Sequence, residues 1–299
     1  MRQLIGVVGP TASGKSRLAL SLAEDLGGEI ISIDSMQVYR GMDIGTAKAT
    51  KEEQGRAPHH MLDLVDPAND FSVAEFQRQA RAAVDDCEQR GVPAILVGGS
   101  GMHLRSVIDP MNFAPTDPVI RAELEGLDAK TLAAQLLEVD PGAAGLVDMA
   151  NPRRTIRALE AFRIDGRTPS SVSRSPNTQN VKSYTPIRPV KLVGLDSEGG
   201  VSNRVGARLG KMFSLGLLEE VEGLAGSLGR TAMQAVGYKE LLPVLDGRTK
   251  LKEGAEAIYR STLALVKRQR TYFRRDPRIT WIGCDRPFDQ MYREAREAL

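Results

Sequence analysis

Eight residues near the start of the chain, Gly9-Pro10-Thr11-Ala12-Ser13-Gly14-Lys15-Ser16, have the spacing G-x-x-x-x-G-K-[ST]. Such a segment can curl backbone N–H groups around an anion. The glycines permit the tight turn, and a following helix N-terminus adds partial positive charge. Lys15 adds a full charge, and the Ser16 hydroxyl is a candidate ligand for Mg²⁺. The chemistry implied is polyphosphate binding. Which bond breaks is left open, because the loop would serve a kinase, an NTPase or an enzyme that expels pyrophosphate.

Four other positions could do chemistry beside that loop. Asp34 ends an apolar run, which suits either a Mg²⁺ ligand or a general base, with a turn or cap residue as the bland alternative. Gln37 carries both a donor and an acceptor, the equipment for reading a base edge. Ser100 follows Gly98-Gly99 at the end of another apolar run, where glycines suggest close backbone approach to a ligand and an ordinary tight turn is the competing reading. Arg208 stands one helical turn from Arg204, a spacing that could clamp a pyrophosphate or simply belong to a salt-bridged helix surface.

The elements that must position these residues are legible from periodicity. Leu4 to Val8, Glu29 to Ile33, Pro93 to Val97, Lys191 to Asp196 and Arg278 to Ile282 are short apolar runs of buried-strand character. Helical spacing continues from Arg17 to Ala23, a capping-box signal at Ser72 opens a helix to about Arg90, and Asn203 to Gly223 forms one more helix. Strands alternating with helices imply a parallel sheet whose C-terminal edge holds the ligands. Residues 34–48 have neither period and form a binding loop. His59-His60 has no third ligand at metal spacing, so a structural or loop role is expected.

From Asp109 the pattern changes. Pro110, Pro115 and Pro118 interrupt the chain, helical periodicity runs from Arg121 to Leu137 and again from Pro152 to Ile164, and Ser170 to Thr185 is polar. This is a helical insertion between strands. Arg153, Arg154, Arg157, Arg163 and Arg167 face only Glu160 and Asp165 on the same stretch; a solvated face is the default for such a run, but five Arg and no Lys lean toward a phosphate or base partner. A second basic segment, Lys267 to Arg278, contains Tyr272 and Phe273, an interleaving that suits RNA backbone and unstacked bases.

With 299 residues, 40 Lys and Arg against 38 Asp and Glu, and a formal net charge of +2, any nucleic-acid surface must come from such local clusters. The two cysteines, Cys87 and Cys284, form no C-x-x-C pair, which argues against a disulfide framework. No charged-then-apolar leader and no spanning run are evident, so a cytoplasmic protein without membrane partners is expected.

From Gly9 to about Arg275 the chain resembles the tRNA dimethylallyltransferase family, also called tRNA isopentenyltransferases or IPP transferases. The resemblance rests on the phosphate loop, Asp34-Ser35-Met36-Gln37-Val38-Tyr39 with Gly45-Thr46-Ala47-Lys48, and Gly98-Gly99-Ser100-Gly101. It extends to Asn151-Pro152-Arg153-Arg154, Gly216-Leu217 with Glu219-Glu220-Val221, Gln234-Ala235-Val236-Gly237-Tyr238-Lys239, and Lys267-Arg268-Gln269.

The resemblance implies an α/β P-loop NTPase-like core, residues 1–115 and 186–299, with a parallel sheet flanked by helices. It also implies a small all-helical insertion, residues 116–185, that contacts the tRNA anticodon stem-loop. It implies transfer of a dimethylallyl group from dimethylallyl diphosphate to N6 of the adenine 3′ to the anticodon, with Mg²⁺ as cofactor and a monomeric protein. Asp34 would be the base, Ser100 would bond near the reacting centre, and residues Gly9 to Ser16 with Arg208 would hold the diphosphate. The tRNA-contacting positions would be Asp34, Ser35, Met36, Gln37, Ser100, Arg121, Arg153, Arg154, Arg157, Gln234, Ala235, Val236, Gly237, Tyr238, Lys239, Lys267, Arg268, Gln269, Arg270 and Arg274. Ser16 and Ser100 stand where Thr is frequent in the family, His103 where an aromatic such as Tyr is usual, and Tyr272 where Trp is common. The alternative is a P-loop kinase of a small molecule or nucleoside, which would have no use for the two basic segments.

Overall fold

Six strands form a single all-parallel sheet in the order β3-β2-β4-β1-β5-β6. They are β1 (Leu4–Val8), β2 (Glu29–Ser32), β3 (His59–His60), β4 (Ala94–Gly98), β5 (Val190–Asp196) and β6 (Ile279–Gly283). The computed structural model describes residues 4–197 and 199–299. Contacts divide the chain into two units, one running to Ile108 and resuming over Arg188–Leu299, the other Asp109–Ile187.

The first unit also holds α1 (Lys15–Leu26), α2 (Lys51–Arg56), α3 (Val73–Arg90) and α4 (Gly101–Ile108). The second holds α5 (Pro118–Glu125), α6 (Ala129–Val139), α7 (Pro152–Asp165), α8 (Pro169–Arg174) and α9 (Pro176–Lys182). The first unit is completed by α10 (Val201–Ser214), α11 (Leu217–Leu224), α12 (Tyr238–Leu245), α13 (Leu251–Phe273) and α14 (Phe288–Ala298). No helix among the described residues is long and apolar enough to cross a membrane.

The strands are apolar on both faces because both are covered. Ile5, Val7, Ile30, Ile95, Val97, Val193 and Leu195 belong to the core under α1 and α14. Leu4, Val8, Ile31, Leu96 and Leu192 belong to the opposite core, with Phe76 of α3, Tyr238 of α12 and Phe273 of α13. Successive strand residues point to opposite faces, so burial on both sides erases polar alternation and leaves continuous apolar runs.

Two expectations from periodicity are corrected. The stretch from Asn203 to Gly223 is two helices, because Gly216 takes a left-handed backbone (φ 96°) that ends one and begins the next. Arg121 to Leu137 is likewise broken, at Gly126-Leu127-Asp128, where Asp128 accepts from the Lys130 and Thr131 N–H groups and caps α6. His59-His60 is an edge strand paired to Ile30 and Ile31. Two polar residues leave no periodic signal.

That edge is clamped from the side. His60 Nε2 lies 2.6 Å from Glu29 Oε2, and Arg90 donates to both Glu29 oxygens at 2.6 and 2.7 Å. Cys87 Sγ comes within 3.5 Å of the same carboxylate. Glu29, His60 and Cys87 thus converge to metal-ligand spacing. Arg90 nevertheless occupies the carboxylate, and burial followed by the Glu29 charge pushes the thiol up to about 11, so the cluster is an ion-paired clamp.

The Arg90 hydrogen bonds, helped by His60 and opposed by burial, hold Glu29 down to about 2 from an ordinary 4.5. The stability this lends is present above the ordinary value and is lost as pH falls through that window. Glu29→Gln should cost about 2–3 kcal/mol at neutral pH, discounted for the exposed Arg90 head. Urea unfolding of the two proteins should converge as pH drops toward the lower end of the window.

Candidate active site

The C-terminal ends of β1, β2 and β4 meet around a cavity of about 380 Å³ lined by Thr11, Asp34, Ser35, Met36, Ser100 and Arg208, among others. Neighbouring parallel strands release their loops at the same edge, which is why residues from positions 11, 34 and 100 converge.

In the phosphate loop, Gly9 is forced by packing: a Cβ there would lie 2.3 Å from the Leu195 carbonyl oxygen. Pro10 is buried, and Ala12 and Gly14 adopt left-handed backbone. The curl is held from outside, by Gln269 Oε1 accepting from the Thr11 N–H at 2.8 Å and by Arg204 Nε donating to the Ala12 carbonyl at 3.0 Å. Ser13 Oγ is buried with no hydrogen-bond partner among the described residues. Lys15 Nζ donates to the Pro10 carbonyl at 3.1 Å, and Ser16 is exposed in the first turn of α1.

Burial, then the nearby Arg208 charge, bring Lys15 down to about 8, with Asp34 pulling the other way. Arg208 is also shifted down by burial, against the pull of Asp34. Two cations therefore lie close together in a partly desolvated corner, and no carboxylate forms an ion pair with either among the described residues. Such a corner suits a multiply charged anion. The Ser13 and Ser16 hydroxyls are oxygen donors of the kind that suits Mg²⁺.

The two arginines expected as a clamp divide their work. Arg208 lines the cavity, whereas Arg204 turns to Asp285, Ser197 and the phosphate-loop backbone.

Asp34 follows β2. Its Oδ1 accepts the Met36 N–H at 2.8 Å, which fixes the carboxylate, and the residue faces the cavity. Gln37, expected to read a base, is spoken for internally: Oε1 accepts from Ser32 Oγ at 2.7 Å and Nε2 donates to the Thr46 and Ala47 carbonyls at 3.2 Å. It shapes the 34–48 loop instead.

The far side of that loop is held by Glu220, a motif residue whose role sequence does not reveal. Its carboxylate accepts the N–H groups of Asp43, Ile44 and Gly45 at 2.7 to 2.9 Å and the Tyr238 hydroxyl at 2.5 Å. Tyr238 is fully buried, and a Cβ on Gly45 would sit 2.5 Å from its ring, so the expectation that Tyr238 contacts tRNA is corrected: it is a core residue. Lys48 completes the frame from inside, paired with Asp43 at 2.5 Å and Asp63 at 2.6 Å.

The glycines after β4 face protein. A Cβ at Gly99 would meet Gln269 at 2.3 Å, and one at Gly101 would meet the Tyr272 ring at 2.0 Å. Helix α13 therefore closes directly over this turn. Ser100 remains in the cavity wall, its Oγ 2.7 Å from His103 Nδ1.

Gln234, Ala235, Val236, Gly237, Arg268 and Gln269 also line the cavity, while Lys239 and Lys267 are exposed. Arg270 and Arg274 turn to the buried Asp196, at 2.7 and 3.2 Å, so the basic end of α13 is partly neutralised from within. In the second unit, Arg121 and Arg157 both reach the buried Glu160, at 2.6 and 2.8 Å, and Arg157 also caps the Ala114 and Pro115 carbonyls. Arg154, Arg163 and Arg167 pair with Asp148, Glu123 and Asp165. Arg153 is exposed and carries no ion pair among the described residues. The basic face is smaller than residue counting suggested, because Asp148 and the distant Glu123 join the local Glu160 and Asp165 as partners.

A protein-family model described as IPP transferase matches residues 37–276. The chain belongs to the IPP transferase family. Among its IPP transferase relatives, the tRNA dimethylallyltransferase of Streptomyces coelicolor is 43% identical over 289 residues, covering 94% of this chain and 90% of that protein. The tRNA dimethylallyltransferase of Salinispora tropica is 44% identical, covering 93% and 88%. A solved tRNA isopentenylpyrophosphate transferase from Bacillus halodurans superposes with a TM-score of 0.72 at 37% identity, over 99% of this chain and 95% of that one. A eukaryotic dimethylallyltransferase, solved acting on tRNA, gives 0.82 at 25% identity, over 95% and 74%.

Proposed function

We propose that this member of the family transfers a dimethylallyl group from dimethylallyl diphosphate to N6 of the adenine 3′ to the anticodon of a tRNA, releasing diphosphate. One observation carries the reading. A single cavity joins Thr11 of the phosphate loop and Arg208, whose charge Lys15 feels, to the Asp34 carboxylate and to an apolar wall that includes Leu209, Met212, Leu217, Val236 and Ile258. A phosphoryl donor needs the first part. An allylic chain needs the wall as well.

In the reaction, the adenine N6 lone pair forms a bond to the allylic carbon as the bond from that carbon to the diphosphate oxygen breaks. Asp34 takes the proton N6 loses. Lys15, Arg208 and the loop N–H groups stabilise the charge that builds on the departing diphosphate. When bound, Mg²⁺ would be held by Ser16 and phosphate oxygens and would add Lewis-acid stabilisation there. Unstacking the adenine from the anticodon loop is required for N6 to reach a site recessed in this way.

Incubation of the protein with unmodified tRNA, Mg²⁺ and dimethylallyl diphosphate should give tRNA heavier by one prenyl group, read by mass spectrometry of the nucleosides. No gain, accompanied by phosphoryl transfer from ATP to a small molecule, would replace this reading with a kinase.

The arginines of the second unit should separate by role. Arg153→Ala should lower the salt slope of tRNA binding by about 1 and leave stability unchanged, as expected for loss of one phosphate contact. Arg157→Ala should instead destabilise the unit by about 1–3 kcal/mol, because the Ala114 and Pro115 carbonyls and Glu160 lose a donor. Filter-binding isotherms over a salt series, with thermal melts alongside, distinguish the two.

A further inference from the structure

His103 is not explained by the proposed chemistry, although it touches a residue that is. It sits on the first turns of α4, its ring edge-on to Phe76 of α3 with centroids 4.5 Å apart, and its Nδ1 is 2.7 Å from Ser100 Oγ. Ser100 is in the cavity wall, and Phe76 is fully buried. The imidazole is thus wedged by an aromatic ring, with Nδ1 aimed at the Ser100 hydroxyl.

We propose that His103 is a positioning residue that sets the direction of the Ser100 hydroxyl proton. A hydroxyl offers one proton and two lone pairs. When neutral imidazole presents an unprotonated Nδ1, it accepts a hydrogen bond from the Ser100 O–H, and the oxygen turns lone pairs to the cavity. Protonated imidazole donates from Nδ1, and the hydroxyl proton must point elsewhere.

The inference rests on the prenyl-transfer reading in one respect, namely what the cavity holds. An exocyclic amine has two N–H bonds. Asp34 takes one, and Ser100, as an acceptor, holds the other. With both N–H bonds fixed, the nitrogen lone pair is aimed rather than free to rotate. A Ser100 that donates instead would oppose an N–H and misplace the amine.

Burial favours the neutral form of the ring. Burial holds His103 below its ordinary 6.5, against the upward pull of Asp34. Arg208 and Arg268 of α13 line the cavity that Ser100 faces, and Arg81 of α3 is engaged with the Ser106 and Val107 carbonyls at the other end of α4. No step consumes or produces a proton at His103. It acts through Ser100 alone.

The test uses the full chain and three readouts. There are only three histidines, so the His103 ring nitrogens can be assigned by NMR. The ring should be neutral at pH 7 with Nε2 protonated and Nδ1 accepting, and Ser100→Ala should shift the Nδ1 resonance and the ring's titration. In prenyl transfer, His103→Phe, which keeps a ring against Phe76, should lower kcat about 10-fold with KM for tRNA within about 2-fold, an effect of the size expected for a misdirected hydrogen bond.

Ser100→Ala should cost a similar factor, and the double variant no more than the worse single one. His103→Asn, whose side chain can still accept from a hydroxyl, should recover part of the loss. A Nδ1-protonated ring at pH 7, a Ser100→Ala variant that leaves the ring resonances unmoved, or fully additive single variants would each overturn the proposal. Should the wild-type protein transfer no prenyl group, the function reading fails by itself, and the NMR arm still decides whether His103 directs Ser100.

Discussion

Asp34→Ala should lower kcat by about 10²–10⁴-fold, the range for loss of a general base, while tRNA affinity stays within a few-fold. The separation follows from where the carboxylate sits. It lies in the cavity at the end of β2, and one of its oxygens already serves the Met36 N–H. Asp34→Asn sharpens the test, because the amide oxygen can keep that hydrogen bond but the side chain cannot take a proton. The Asn variant should be nearly as slow as the Ala variant in single-turnover prenyl transfer. An Asn variant with most of the activity would reduce Asp34 to a residue that shapes the 34–48 loop.

Lys15→Met should lower kcat/KM by about 10²–10³-fold, since the lost cation faces charge that grows in the transition state. The wild-type protein should also show a pH effect on diphosphate binding. With Lys15 near 8 in the free protein, the ammonium is largely present at pH 7 and largely lost at pH 9. A bound diphosphate brings negative charge and raises that value, so binding above about pH 8 takes up a proton, and affinity falls toward ~10-fold per pH unit. Calorimetric titration with inorganic pyrophosphate in buffers of different ionisation enthalpy reads the uptake, after correction for pyrophosphate itself. Lys15→Met should abolish that component. An uptake that persists in the variant would assign the proton to another group.

Both predictions depend on a frame assembled from distant segments. Glu220 collects three N–H groups of the 43–45 turn, Gln37 holds the neighbouring carbonyls, and Tyr238 fills the space that Gly45 leaves open. Gln269 and Tyr272 of α13 press on Gly99 and Gly101 while Gln269 also anchors Thr11. Several positions that look like ligand contacts are therefore contacts within the protein. Packing and ligand binding draw on the same residue types, Gly for close approach and Gln or Tyr for hydrogen bonds, so residue identity alone cannot separate them.

By itself the sequence determined the α/β class, the phosphate loop, five of the six strands and Asp34 at a strand end. Each of these is written in a local signal: a fixed spacing, an apolar run or a capping residue. Only the tertiary structure decided that His59-His60 closes the sheet, that Arg208 rather than Arg204 faces the cavity, that Tyr238 is core, and that Glu160 and Asp196 draw Arg121, Arg270 and Arg274 inward. Those outcomes depend on which charges and surfaces meet across tens to hundreds of residues. Burial makes each unpaired charge costly, so acids remote in sequence are recruited to cations that counting along the chain leaves unopposed.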